Sequence, residues 1–390
     1  MNFRNLLLLC FGQALGFTAA PLIIFTGGVT GTALAPSPAW ATLPIAAMVV
    51  GVALSTIPAA ALMKIIGRRL GFIAGSLLAA LAALAAAYAI GIHSFWLFCG
   101  ATLLLGSNLA FVQQYRFAAA ESVAPEYAGK AISLVLLGGI VGGFLGPELA
   151  KRTKNLLDHG DYAASFACLT LVYIIVAGSL FFLREMRQQD QTAGGHGRPL
   201  REIVTQPGYL LAMLGGMVAY GVMSFIMTAT PISMHVIDGH SLELTAGVIQ
   251  SHIVAMYLPA LFTGTIIARL GASRVMGLGL FATVACVLLA LSGHQPWIYW
   301  CALVLLGLGW NFQFLGATVL LTANYRPEER FKAQAVNDFV IFGTQALMSL
   351  SAGAVMHRAG WETLNLLTLP FLVAVVLAML GLRRFLAWQR

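Results

Sequence analysis

Two stretches of seven residues, PEYAGKA at 125–131 and PEERFKA at 327–333, decide the architecture of this chain because one repeats the other. An offset of 202 residues aligns the Pro, Glu, Lys and Ala of both copies. A second pair of stretches, 60–67 and 264–271, aligns at an offset of 204 residues. The sequence therefore predicts two related halves.

The composition predicts a membrane protein. Hydrophobic residues make up 59% of the 390 residues, charged residues only 9%, and the mean hydropathy is +0.86. A spanning helix needs about 20 mostly apolar residues, and twelve such stretches lie between short polar connectors. The predicted spans are 3–27, 39–63, 70–91, 95–119, 129–150, 165–183, 208–231, 243–268, 274–292, 296–321, 333–356 and 363–385.

The predicted fold is an all-α integral membrane protein with twelve transmembrane helices in two six-helix halves. The N-terminal half comprises residues 1–183 and the C-terminal half residues 207–390. Residues 184–206 between them are polar and contain three Gly and one Pro among charged residues. This composition is typical of a flexible linker, which we place on the cytoplasmic side.

The positions of the basic residues predict the orientation. With the N-terminus in the cytoplasm, all but four of the 22 Lys and Arg residues fall on the cytoplasmic side, as the positive-inside rule requires. Both termini are therefore predicted to be cytoplasmic. This asymmetry accounts for the net charge of +8, so the expected partner is the lipid bilayer and not a nucleic acid. No GxSxG, HExxH or Walker signature occurs in its proper context, so we expect a protein that is not an enzyme.

The order of spans and connectors resembles the major facilitator superfamily. The signature loop of that family, Gly, any three, Asp, Arg, any, Gly, Arg, is degraded here, since Ala60 and Lys64 replace the Gly and the Asp. In the second copy, Ala268 replaces the Asp beside Arg269. The resemblance implies a substrate site near the midplane between the halves and transport by alternating access. The missing acidic residue predicts a changed charge relay, with Arg269 as a candidate gating residue.

Four potential metal ligands lie on two successive spans, Met223 and Met227 on one and His252 and Met256 on the next. Residues four apart share a helix face, with Cβ atoms about 5–6 Å apart, so each pair can hold one ion from one side. Neutral thioether and imidazole ligands favour a soft ion such as Cu(I) and still allow its release. The alternatives are that the Met side chains fill gaps in the core and that His252 forms a hydrogen bond across helices, either to the neighbourhood of Gln250 or to a backbone carbonyl.

Within the superfamily, these residues resemble the CcoA-like copper importers of bacteria. The likeness rests on MxxxM at 223–227 followed by TATP, on HxxxM at 252–256 leading into Pro259, and on the segments 114–117 and 337–339. It implies copper import across the bacterial cytoplasmic membrane, with copper as substrate and no cofactor, and copper chaperones of cytochrome oxidase assembly as partners. Relatives in the same group carry riboflavin. We expect a monomer.

Several polar residues at membrane depth are candidates for coupling or gating. Asp338, a few residues into span 11, either binds a proton or counter-charge or forms an ion pair with Arg116 or Lys332, since an unpaired buried carboxylate is expensive. Arg116 is expected to form an ion pair at the membrane interface. Asn311 and Gln313 on span 10 are expected to bridge helices through hydrogen bonds.

Two other functions remain open. A carrier of organic solutes, with riboflavin as the first candidate, would use aromatic side chains to stack on a flat ring. The candidates for stacking are Tyr115, Phe117, Phe225, Tyr257, Trp310 and Phe314. A membrane receptor or assembly factor that transports nothing would need a surface for its partner, and the sequence contains no extramembrane domain. We therefore predict a secondary transporter, with copper ahead of riboflavin as its substrate.

Overall fold

The computed structural model describes residues 3–37, 40–154, 156–157, 161–184 and 197–388. All regular secondary structure in these ranges is helical, which confirms the predicted all-α fold. Most of the predicted linker, residues 185–196, lies outside the described residues.

The helices follow the repeat seen in the sequence. In the first half they are α1 (Phe3–Gly16), α2 (Ala19–Leu34), α3 (Leu43–Gly91), α4 (Phe95–Val112), α5 (Tyr115–Glu121), α6 (Ala128–Thr153) and α7 (Ala163–Phe181). In the second half they are α8 (Leu200–Val204), α9 (Pro207–Pro231), α10 (Leu242–Tyr257), α11 (Ala260–Leu270), α12 (Ala272–Ala290), α13 (Pro296–Thr322), α14 (Arg330–Leu366) and α15 (Leu369–Trp388). A π-helical turn at Ile232–Ile237 extends α9. The repeated heptapeptide starts in both copies with a 3₁₀ turn, Pro125–Tyr127 and Pro327–Glu329, so its local structure is the same.

Ten helical stretches of the described chain are long and apolar enough to span a membrane, and two of these are long enough to span it twice. Leu43–Gly91 is broken at Gly67 (φ 82°, ψ 162°), and Pro327–Gly381 is broken at Gly360 (φ 78°, ψ 177°). Counting these breaks gives the twelve predicted spans. Positive φ favours glycine because it has no Cβ. Gly271, the counterpart of Gly67 in the repeat, has a similar conformation (φ 85°, ψ 151°), so the signature loop keeps its turn without its acidic residue.

The chain divides into two compact units. Unit 1 comprises Met1–Pro125, Leu134–Gly194 and Gln334–Phe339, and unit 2 comprises Glu126–Ser133, Gly195–Ala333 and Val340–Arg390. The division falls inside the predicted linker. It differs from the predicted halves because two short segments, 126–133 and 334–339, are exchanged.

Close packing and polar contacts explain the two exchanged segments. Segment 126–133 belongs to unit 2 because its backbone approaches Gly264 of α11, where an added Cβ would lie 2.7 Å from the carbonyl oxygen of Gly129. Segment 334–339 belongs to unit 1 because Gln334 accepts a hydrogen bond from Arg68 at 2.8 Å. Each exchange therefore has a local physical cause.

In unit 2, α13 is the central helix, because α9, α10 and α12 all pack on it. Glycines permit the close approach. An added Cβ at Gly307 of α13 would lie 2.6 Å from the carbonyl oxygen of His252 on α10, and one at Gly279 of α12 would lie 2.7 Å from the carbonyl oxygen of Gly309 on α13. These glycines bring α10 and α12 close to α13.

A buried carboxylate fixes the end of the linker to unit 2. Glu329 is fully buried and accepts hydrogen bonds from the backbone nitrogen of Arg198 at 2.9 Å and from its guanidinium at 2.7 and 2.8 Å. Lys332, a predicted partner of Asp338, instead donates to the backbone carbonyl oxygen of Arg198. The short helix α8 therefore follows an anchored residue.

An ionisable cluster at one end of unit 2 is centred on His294, between α12 and α13. Its Nδ1 lies 3.0 Å from Asp238 Oδ2, and its Nε2 lies 2.8 Å from Glu362 Oε1. Tyr299 donates to Asp238 at 2.7 Å, and His240 Nε2 contacts the backbone carbonyl oxygen of His294 at 3.0 Å. The hydrogen bonds to Glu362 and Asp238 raise the pKa of His294 above its usual value.

Candidate functional site

The four predicted metal ligands lie on α9 and α10, and each of these helices packs more extensively on α13 than on the other. Met223 is buried and Met227 half-buried on α9, while His252 and Met256 are buried on α10. His252 Nδ1 lies 2.8 Å from the carbonyl oxygen of Leu303 on α13, which is the alternative considered for this residue. Among the described residues, no group of three or more His, Cys, Asp or Glu side chains could hold a metal ion. The copper site stays a prediction.

Five aromatic side chains of unit 2 form a buried group, here called the aromatic cluster: Tyr220 of α9, Tyr257 of α10, Trp310 and Phe314 of α13, and Phe342 of α14. Trp310 and Phe314, about one helical turn apart, stack with centroids 5.1 Å apart. Tyr220 lies edge-on to Trp310, Phe314 and Phe342 at 5.2, 4.8 and 5.3 Å. Tyr257 lies edge-on to Trp310 at 5.5 Å. These are the favourable geometries for aromatic rings.

Half of the aromatic residues predicted for ring stacking belong to the aromatic cluster. Of the others, Tyr115 and Phe117 lie in unit 1. Tyr115 is edge-on to Phe72 at 4.6 Å, and Phe117 lies under the guanidinium of Arg116 at 4.5 Å. Phe225 is buried on α9. Tyr257, Trp310 and Phe314 thus lie together, and the stacking of any of the six candidates on a solute stays a prediction.

Tyr220 and Phe342 were missed by sequence reasoning. Each lies within a long apolar stretch and is followed directly by a glycine, Gly221 and Gly343. This aromatic–glycine pair on spans 7 and 11 is the signal that could have found them. At Gly221 the glycine also serves packing, since an added Cβ would lie 3.1 Å from Thr344 Cγ2 on α14.

Buried polar atoms without a hydrogen-bond partner lie in or near the aromatic cluster. In the described part of the chain, Trp310 Nε1, both amide atoms of Gln313 and His252 Nε2 have no such partner. An unpaired buried polar group costs about 1–3 kcal/mol, and the hydrocarbon core of a bilayer offers no partner. Gln313 was expected to bridge helices, but its side chain forms no such hydrogen bond to any described residue.

Asn311 makes the bridges that were expected of it. Its Nδ2 donates to the carbonyl oxygen of Met256 on α10 at 2.6 Å, and its Oδ1 accepts from Thr263 of α11 at 2.7 Å. This contact holds α10, α11 and α13 together. Arg269, the other candidate gating residue of unit 2, is exposed in the last turn of α11, and its gating role stays a prediction.

Unit 1 contains a buried charge network. Arg116 donates to Asp338 at 2.5 Å, and both side chains are 1% exposed. Gln114 donates to the second oxygen of Asp338 at 2.9 Å. Arg68, from the signature loop, pairs with Glu121 at 2.6 Å. Of the two alternatives for Asp338, the structure therefore shows the ion pair, and Arg116 is the partner.

Within the described residues, ten long apolar helical stretches, two of them broken at a glycine, define a multi-pass membrane protein. The chain matches the Major Facilitator Superfamily over residues 6–256 and 237–388, and it belongs to this superfamily of secondary transporters.

Curated relatives cover nearly the whole chain. The riboflavin transporter RfnT of Brucella anthropi is 41% identical over 382 residues, which are 97% of this chain and 96% of the relative. The uncharacterized MFS-type transporter YdeG of Bacillus subtilis is 27% identical over 380 residues, which are 93% of this chain and 88% of the relative. The superfamily is thus established, whereas the narrower likeness to copper importers is not.

Solved structures agree with the fold. The superfamily transporter FucP, in its outward conformation, superposes with a TM-score of 0.78 at 16% identity, covering 96% of this chain and 97% of FucP. The human organic anion transporter MFSD10 (TETRAN) superposes with a TM-score of 0.77 at 16% identity, covering 96% of this chain and 99% of that protein. At this identity the likeness concerns the fold alone.

Proposed function

We propose that this protein is a secondary transporter that takes up riboflavin or a closely related flat heteroaromatic solute. The aromatic cluster carries the proposal. Stacking of a flat ring on an aromatic side chain contributes about 1–3 kcal/mol per ring. The unpaired atoms of Trp310 and Gln313 offer hydrogen bonds to the polar edge of such a ring. The 41% identical relative RfnT, named a riboflavin transporter, supports the same class of solute.

The basic residues and the relatives favour the bacterial cytoplasmic membrane as the location, with both termini in the cytoplasm. In this arrangement the transporter works as a monomer and needs no cofactor. The gradient that drives uptake acts through ionisable groups, of which Asp338 with Arg116 is the candidate in unit 1.

Uptake of radiolabelled riboflavin into proteoliposomes that contain the purified protein tests the proposal. Trp310→Ala should raise the apparent KM about 10-fold, equivalent to about 1.4 kcal/mol, because one stacking partner is lost. Trp297→Ala is the matched control, since Trp297 lies on the same helix but is 61% exposed, and it should leave uptake unchanged. A wild-type protein without saturable riboflavin uptake would refute the proposal.

Copper import is the second candidate function. It is favoured by the unpaired, buried Nε2 of His252 and by Met256 four residues further on the same helix, since imidazole and thioether both bind Cu(I). Copper chaperones of oxidase assembly are partners only in this case. Uptake of ⁶⁴Cu into the same vesicles, lowered by His252→Ala and by Met227→Ala, would support copper. Vesicles that take up riboflavin but no copper would exclude it.

A further inference from the structure

His252 is held in one tautomer by its neighbour on α13. Its Nδ1 lies 2.8 Å from the carbonyl oxygen of Leu303, and a carbonyl oxygen only accepts hydrogen bonds, so Nδ1 carries the hydrogen. In a neutral imidazole the other nitrogen, Nε2, then has a lone pair and no hydrogen. Complete burial disfavours the charged form, in which both nitrogens would donate. His252 therefore offers an acceptor.

An unpaired acceptor at this position costs free energy. Nε2 of His252 is buried without a hydrogen-bond partner in the described part of the protein, and an unsatisfied buried polar group calls for an explanation. The imidazole cannot rotate to satisfy Nε2 without giving up the bond to Leu303. The backbone behind it is also fixed, because Gly307 of α13 touches the carbonyl oxygen of His252 too closely to accept a Cβ. The lone pair is thus held in place by the hydrogen bond of Nδ1 and by the close packing of the backbone of His252 on Gly307.

We propose that His252 Nε2 accepts a hydrogen bond from a ring N–H of the transported heterocycle, which makes His252 a specificity-determining residue. This inference rests on the proposed transport of a flavin-like solute. The tricyclic ring of riboflavin has one imide N–H between two carbonyl groups, and it is the only N–H of the ring. A site that binds a polar group by a buried hydrogen bond rejects an analogue that lacks the group, because the protein atom is then left unpaired.

Trp310 on α13 offers the opposite kind of polar atom. Its Nε1 is a donor that is buried without a partner among the described residues, and an indole nitrogen can only donate. Carbonyl oxygens of the ring are the matching acceptors. An acceptor on α10 and a donor on α13 therefore correspond to the two kinds of polar group on the edge of the ring, and neither would recognise a purely apolar aromatic solute.

The test compares riboflavin with N3-methylriboflavin, in which a methyl group replaces the imide hydrogen. Each compound competes against radiolabelled riboflavin in proteoliposomes that contain the wild type, His252→Leu, His252→Gln or His357→Ala. The wild type should prefer riboflavin about 10-fold, equivalent to about 1.4 kcal/mol. His252→Leu has no acceptor and should reduce the preference to less than about twofold by weakening riboflavin alone. His252→Gln, whose amide can both donate to Leu303 and accept, should keep part of the preference.

His357 is exposed on α14, so His357→Ala should keep the full preference and serves as the control for loss of a histidine. A wild type that binds both compounds equally overturns the inference but leaves riboflavin transport intact. An unchanged preference in His252→Leu overturns it in the same way. If the wild type binds neither compound, the proposed function itself fails. Should His252→Leu be absent from the membrane, the wild-type comparison and His252→Gln still decide the matter.

Discussion

The buried ion pairs of unit 1 contrast with the unpaired polar atoms near the aromatic cluster of unit 2, although unit 1 also has buried atoms without a described partner, such as Thr30 Oγ1. In unit 1, charged side chains are buried but paired, as in Arg116 with Asp338 and Arg68 with Glu121. In unit 2, neutral polar atoms of His252, Trp310 and Gln313 are buried and have no partner among the described residues. The paired charges have their partners within the protein, whereas the unpaired atoms need a partner from outside it. The difference separates an ion-pair network that is satisfied within the protein from a candidate binding site.

Breaking the buried ion pair should have the largest effect. Arg116→Leu leaves Asp338 as an uncompensated buried charge and should lower the free energy of unfolding by about 3–5 kcal/mol. The double variant Arg116→Leu with Asp338→Leu should recover most of this loss, because both charges are removed. Thermal unfolding of the purified protein in detergent measures both.

Arg152→Ala is the control, because its ion pair with Glu148 is 78% and 49% exposed and should contribute nothing measurable. If Arg116→Leu unfolded at the wild-type temperature, the network of unit 1 would not be structural.

The signature loop occurs once in each unit, so one substitution can be made in both. Gly67→Ala and Gly271→Ala should each destabilise the protein by about 1–3 kcal/mol, since their backbone conformation is nearly restricted to glycine. Nothing lies within 4 Å of an added Cβ at either position, so the backbone alone is responsible.

Gly178→Ala supplies the contrast, because Gly178 lies inside α7 with open space around it. This change should stabilise the helix by about 0.5–1 kcal/mol. Equal melting temperatures for all three variants would contradict the assignment of strain to the loop.

Gln313 provides a test of the unpaired atoms in unit 2. Gln313→Met removes a buried amide without a described partner and should raise the free energy of unfolding by about 1 kcal/mol, while lowering the affinity for riboflavin. Asn311, two residues earlier, is hydrogen-bonded through both amide atoms, so Asn311→Leu should instead destabilise by about 1–3 kcal/mol. A stabilising Gln313→Met and a destabilising Asn311→Leu would support the distinction between unpaired and paired amides. If both substitutions changed the free energy of unfolding in the same direction, the distinction would be contradicted.

The ionisable cluster around His294 in unit 2 should give the smallest effect on stability, and this effect should depend on pH. The bonds of His294 to Glu362 and Asp238 raise the pKa of His294 in the folded protein. The stabilisation of the folded protein by protonated His294 is therefore complete below the pKa of histidine in the unfolded chain, about 6.5. It is lost as the pH rises through the pKa of His294 in the folded protein.

Melting temperatures of the wild type and His294→Asn should accordingly differ most near pH 6 and converge at alkaline pH. Tyr299, His240 and His235, which belong to the same hydrogen-bonded group, are unchanged in this comparison. A difference that does not vary with pH would exclude His294 as the titrating group.

Composition and the internal repeat were sufficient to predict the fold, because lipid imposes helices of a minimum length on any spanning chain. Local breaks were not predictable in the same way. The first predicted span, 3–27, is divided between α1 and α2, and span 7 continues into the π-helical turn at Ile232–Ile237. Apolar periodicity reports which residues are buried, and it contains no information about such interruptions.

The candidate site was predicted only in part. The spacing of Met223, Met227, His252 and Met256 places each pair on one helix face, but it cannot tell which helix that face meets. The partner of His252 is a backbone carbonyl of α13. Every residue has such a carbonyl, so the sequence cannot indicate which one His252 contacts. The ion pair of Asp338 with Arg116 was one of the alternatives that the sequence offered, and the fold selects it over Lys332.

The stacking of Trp310 on Phe314 gives the protein an internal optical reporter. An indole enclosed by apolar rings emits at shorter wavelength than one in water, and the difference between the wild type and Trp310→Phe isolates the emission of Trp310. A flavin bound against this indole would accept its excitation energy and quench that emission. Titration of the unlabelled protein, with Trp310→Phe as reference, would therefore record occupancy directly in a fluorimeter.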